Sequence, residues 1–103
     1  MVEIIEANDS NFSEIVSTGK VLVDFNAEWC GPCKMMGAIL EQQVAPKVDG
    51  VKIVSVNVDQ SPRTAALYQI QSIPTLIFVK DGNLVQTLIG VQKAQDVIDL
   101  ING

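Results

Sequence analysis

Three features of this 103-residue chain predict an α/β fold with a mixed central β-sheet and helices on both of its faces. Apolar, β-branched runs over residues 21–27, 51–58 and 75–80 read as buried strands. Helix-periodic segments stand between the first of these, so strand–helix–strand crossovers supply a parallel portion. A turn signal, Asp81-Gly82-Asn83, separates the third run from residues 84–89 and adds an antiparallel hairpin. No linker, repeat or low-complexity tract interrupts the alternation, which predicts one domain over residues 1–103.

Each element has its own signal. Residues 2–5 form a short first strand, and Asn11, with Glu14 three residues on, offers a capping box to the first helix. The run from Val21 to Ala27 is the first central strand. Met35, Met36, Ile39, Leu40 and Val44 then recur at helical spacing, giving a long helix that ends near residues 48–50. Val51, Ile53, Val54, Val56 and Val58 make the next buried strand. Ser61-Pro62 opens a short helix through Ala65, Ala66, Leu67 and Tyr68, because proline suits the first helical turn. Residues 91–101 read as a closing amphipathic helix.

The only two cysteines lie in Trp29-Cys30-Gly31-Pro32-Cys33, at the joint between a strand and a helix. Residues three apart on a helix are neighbours at about 5 to 6 Å, inside the roughly 4.4 to 6.8 Å that a disulfide requires between α-carbons. The pair can therefore open and close a small ring without rebuilding the fold. Pro32 suits the first helical position, where its missing N–H would be unpaired anyway, and it stiffens the loop between the sulfurs, while Gly31 allows close backbone approach. Unpaired N–H groups at the helix start face Cys30 and favour its thiolate, the form that attacks a disulfide.

Composition narrows the chemistry. Histidine is absent, which removes Cys-His pairs, Ser-His-Asp triads and histidine metal ligands. A zinc ion held by Cys30 and Cys33 would need two chains to share it, so redox work is the favoured reading and no metal is expected. The net charge of −5, with its charges dispersed, predicts no nucleic-acid partner and no polybasic membrane anchor. Residues 1–10 hold acidic side chains and no long apolar stretch, so no signal peptide is read and the expected location is the cytoplasm. A disulfide there is transient and catalytic rather than structural.

Asp24 lies among valines in the first central strand. A carboxylate there is costly to ionise, so its pKa should rise until it can exchange a proton near neutral pH. Pro74, taken alone, reads as a proline that begins an edge strand. The remaining acidic residues read as solvated, and Met35-Met36 as core packing.

Asp24-Phe25, Ala27-Glu28-Trp29-Cys30-Gly31-Pro32-Cys33-Lys34-Met35, Val58-Asp59-Gln60, Ile73-Pro74-Thr75-Leu76, Asp81-Gly82 and Gly90 together resemble the thioredoxin family in identity, order and spacing, nearly end to end. The resemblance implies a thioredoxin fold and a general protein-disulfide reductase. Its redox group would be the Cys30-Cys33 disulfide, with no bound cofactor. Cys30 would attack the substrate and Cys33 would resolve the mixed disulfide, with Asp24 taking the Cys33 proton through a water. Ile73-Pro74 would carry a cis peptide bond. Trp29, Gly31, Ile73, Pro74, Gly90 and Val91 would form the surface where an extended substrate pairs by its main chain. Partners would be disulfide-containing proteins and a thioredoxin reductase supplying electrons from NADPH, with the chain acting as a monomer.

Four positions depart from the family pattern. Asn26 stands at a usual tryptophan, which leaves Trp29 as the one indole, and Ser55 stands at a frequent lysine, which makes Asp24 harder to ionise. Ala38 replaces a helix-kinking proline, so a straighter helix is expected. Ser72 replaces a glycine beside Ile73 and adds a side chain at the docking edge.

Overall fold

The computed structural model describes residues 1–103 and contains nine regular α and β elements. They are β1 (Ile4–Ala7), α1 (Phe12–Val16), β2 (Lys20–Asn26), α2 (Gly31–Ile39), β3 (Val51–Asn57), α3 (Pro62–Leu67), β4 (Thr75–Lys80), β5 (Asn83–Ile89) and α4 (Ala94–Asn102). The sheet runs β1-β3-β2-β4-β5, with β1, β3 and β2 parallel and β4 and β5 antiparallel. This is the mixed sheet that the sequence predicts.

Side-chain alternation sorts the core into two layers. Leu22, Ile53, Leu76 and Phe78 pack with Met36, Leu40, Val44, Val97 and Ile101 of the α2 and α4 side. Val21, Val23, Phe25, Val54, Val56, Ile77 and Val79 pack on the other face with Phe12 and Val16 of α1, and Tyr68 joins them after α3. Helices thus cover both faces. Alternation also fixes where Asp24 points: two residues beyond Leu22, it belongs to the α2 layer, paired in register with Ser55 on β3, which is paired with Glu6 on β1. One polar row therefore crosses an otherwise apolar layer.

Several boundaries differ from expectation. The first strand begins at Ile4 rather than Val2 and runs to Ala7, where its pairing with Val56 ends. Asn11 does precede α1, but its side chain accepts from the Asn8 N–H (2.8 Å), so no capping box forms. The long helix keeps α register only to Ile39, passes through a π-helical turn at Leu40–Val44 and closes in a 3-10 turn at Ala45–Lys47. Pro46 accounts for the change, having no N–H to continue the ladder. Ala38 lies inside the regular part, so the irregularity comes after it. The hairpin turn has two residues, Asp81 and Gly82, both at positive φ (50° and 83°), a type I′ arrangement, and Asn83 already belongs to β5. Helix α4 starts at Ala94, leaving residues 91–93 as a loop that reaches the cysteines' end of the sheet. Met36 is core as expected, but Met35 is 59% exposed because it lies on the outer face of α2.

Candidate active site

Strand β2 ends at Asn26, and the chain turns through residues 27–29 into α2. Cys30 is the N-cap of α2, with extended backbone, and its Sγ accepts the Cys33 N–H at 3.2 Å. A sulfur thus takes the place of the usual capping oxygen. Cys30 and Cys33 form a disulfide with α-carbons 5.2 Å apart. Both are buried, with Ala27, Val58 and Ile73 around them.

The expected docking residues come together around this pair. Ile73-Pro74 is cis, and the Ile73 carbonyl lies 3.9 Å from Cys30 Sγ. The Gly90 N–H donates to the Pro74 carbonyl (2.8 Å), with Gly90 at φ +86°, a conformation that favours glycine. Val91 is exposed beside it. Pro74 itself is buried, so only its neighbours present surface. Trp29 is 72% exposed, and its indole N–H donates to Asp59 Oδ2 (2.8 Å). Gly31 and Pro32 are exposed, and a Cβ on Gly31 would meet no atom within 4 Å, so that glycine serves no internal close contact. Ser72 is exposed next to Ile73, and its carbonyl accepts from Thr75 Oγ1 (2.6 Å).

Asp24 is 4% exposed, and its Oδ1 has no hydrogen-bond partner. Burial pushes its carboxyl up from 3.8 to about 7; the Asn26 amide opposes the rise, and the Glu6 carboxylate adds to it. Asp24 and Cys33 border the same hollow, of about 570 Å³, together with Asn26 and Ser55. Asn26 Nδ2 donates to Ser55 Oγ (2.8 Å) and to the Asp24 main-chain carbonyl (3.1 Å), tying β2 to β3 over the carboxyl.

Sequence reasoning missed several of these contacts. Asp59 and Asp9 are not merely solvated: the first anchors Trp29, and the second accepts the N–H groups of Arg63 and Thr64 at the start of α3. The Gln92 N–H donates to Met36 Sδ (3.2 Å), and its side chain holds the Ile89 and Gly90 carbonyls. These partners lie far apart in the chain, and no local pattern marks them. Asn26 and Ser55 read separately in the sequence, as a lost indole and a lost cation, and nothing there foretells their bond to each other.

A disulfide at a helix N-terminus, beside a cis-proline loop and above a buried carboxyl, defines a protein-disulfide oxidoreductase of the α/β class. The chain belongs to the thioredoxin family, whose sequence profile matches residues 3–103. It is 46% identical over 102 residues to the thioredoxin of Chlamydia caviae, covering 99% of this chain and 97% of that one. To the thioredoxin of Bacillus subtilis it is 43% identical over 99 residues, covering 96% and 95%. A mutant thioredoxin from Halobacterium salinarum superposes with a TM-score of 0.88 at 29% identity, covering 97% of this chain and 88% of that chain. Its chemistry is thiol–disulfide exchange, with the Cys30–Cys33 disulfide as the redox group.

Proposed function

We propose that residues 1–103 act as one domain and a general reductant of protein disulfides, with Cys30 as nucleophile, Cys33 as resolving thiol and Asp24 as its base. The observation that carries the order of the cysteines is the Cys33 N–H aimed at Cys30 Sγ, which stabilises negative charge on Cys30 at the helix start. Cys30 thiolate attacks a substrate sulfur; a Cys30–substrate bond forms as the substrate's own S–S bond breaks. Cys33 then gives its proton toward Asp24 and attacks Cys30, restoring the internal disulfide and releasing the reduced substrate.

Substrates are disulfide-bonded proteins presenting an extended segment. The Ile73 main chain, flanked by Trp29, Gly31, Gly90 and Val91, offers pairing that tolerates many side chains. Buried Pro74 shapes this edge rather than touching the partner. A separate thioredoxin reductase, fed by NADPH, returns the electrons. The cytoplasm suits these roles, because both cysteines belong to the exchange pair and none is left for a structural staple, and a single chain holding the whole site can work as a monomer. Incubation with a disulfide protein tests the order of roles: Cys33→Ser accumulates covalent complexes and Cys30→Ser does not. Equal accumulation by both would overturn it.

A further inference from the structure

We propose that Asp24 exchanges its proton with bulk water through a groove behind α2, away from the docking residues, and that Gly37 and Ser55 keep this groove open. The inference rests on Asp24 serving Cys33 as base. Two hollows share Asp24 in their walls. The first, of about 570 Å³, reaches Cys33; the second, of about 810 Å³, continues between α2 and the β1–β3 side of the sheet to the N-terminus. Asp24, Lys34, Gly37 and Ser55 border both. None of Trp29, Gly31, Ile73, Pro74, Gly90 and Val91 borders either.

The second observation is Asp24 Oδ1, buried and without a protein partner. Buried polar atoms are nearly always satisfied, by water where protein offers nothing. A water occupies about 30 Å³ of liquid, so either hollow has room for several. Ser55 Oγ, held by Asn26, supplies a further polar contact along the way. The charged groups facing this route are the Met1 ammonium, Glu3 and Glu6 from the β1 segment, Glu28 from the loop after β2, Lys34 from α2 and Glu41 from the π-helical turn.

The route matters because a bound substrate covers the other face. In the resolving step the Cys33 thiol proton passes to the Asp24 carboxylate, and the Cys33 sulfur bonds to Cys30 Sγ. The Cys30–substrate S–S bond breaks, and its electron pair leaves on the substrate sulfur, which takes a proton from solvent. The protein is oxidised and the substrate reduced. A protonated Asp24 can take the Cys33 proton only after its own has gone to water, and with substrate bound the groove is the way out; the proton it gains leaves by the same path, independently of substrate departure.

Gly37 makes the inference testable. A Cβ there would meet no atom within 4 Å, so a larger side chain enters the groove without clashing at its root. It also improves helix propensity, so α2 is not weakened. Single-turnover reduction of insulin, used as a generic disulfide protein, would be followed at about pH 6, where Asp24 starts mostly protonated and must first lose its proton, for wild type, Gly37→Ala, Gly37→Leu and Asp24→Asn in H2O and D2O. Gly37→Leu is expected to slow resolution at least five-fold and raise the solvent isotope effect, and Gly37→Ala to do both to a smaller extent. Covalent trapping by Cys33→Ser should proceed equally fast, within two-fold, with and without Gly37→Leu. Wild-type resolution and isotope effect in Gly37→Leu, or slowing of trapping to the same degree, would overturn the groove. Should Gly37→Leu not fold, an unchanged isotope effect in Gly37→Ala overturns it equally. Resolution by Asp24→Asn at the wild-type rate would instead overturn the base itself, a separate failure.

Discussion

Asp24 lowers the stability of the fold whenever it ionises. Its carboxyl sits in the apolar layer beneath α2, where charge is disfavoured, and burial lifts its pKa from 3.8 to about 7. The unfolded chain ionises this group near its ordinary value, while the folded chain holds the proton until about pH 7. Between those values the unfolded state binds fewer protons, so stability falls as pH rises and levels off above the folded pKa. The shift corresponds to about 4 kcal/mol, from which an imperfectly bonded amide would subtract about 1 to 3. The oxidised Asp24→Asn variant should therefore be more stable than wild type by about 2 kcal/mol at pH 8, and the gain should turn into a loss by pH 4, where wild type no longer carries the charge. Chemical denaturation at the two pH values checks this; a gain that does not depend on pH would contradict it. The burial of Asp24 was legible from its valine neighbours. The Asn26–Ser55 bond over it was not, because it joins positions 29 apart and depends on strand register.

At the scale of elements, the two ends of α2 do different work. Its start is legible to within one residue: the spacing puts Pro32 at the first helical position, whereas the helix begins at Gly31 and Cys30 is the cap. Its end is not: the apolar repeat runs smoothly to Val44, while Pro46 has already forced a wider turn from Leu40. Helix α3 shows another limit of local reading. Ser61 stands at its N-cap but gives no side-chain cap, and Ser61 Oγ is buried without a partner. Asp9, 54 and 55 positions away from Arg63 and Thr64, accepts their N–H groups and the Thr64 hydroxyl instead. For the Asp9 carboxyl, burial acts upward but is outweighed by those bonds and by the Arg63 charge, so its pKa falls below 3.8. Asp9→Ala should lower the melting temperature at pH 7, and the deficit should disappear as pH drops below the ordinary carboxylate range, where wild type loses the same charge. An equal deficit at pH 7 and pH 3 would show that packing, not the charged cap, was lost.

For the whole molecule, the order β1-β3-β2-β4-β5 puts β2, which carries Asp24, at the centre of the sheet and sends its end into the cysteines. The cis-proline loop enters from β4, and the Gly90–Gln92 loop leaves from β5, so three chain segments meet at one end. The strand pattern made the mixed sheet legible, with its parallel crossover and its hairpin; the strand order and the Gln92–Met36 contact that locks the third segment to α2 were outside its reach. The central claim is that this end of the sheet houses a reversible, reducing dithiol. Equilibrium titration of Trp29 fluorescence in defined thiol–disulfide buffers, with thiols counted at each point, tests it most directly, since about 30 mV corresponds to 1.4 kcal/mol for a two-electron couple. A single reversible transition at or below roughly −220 to −260 mV is the expected result. A midpoint near about −180 to −120 mV would mark an oxidant or isomerase and contradict the account.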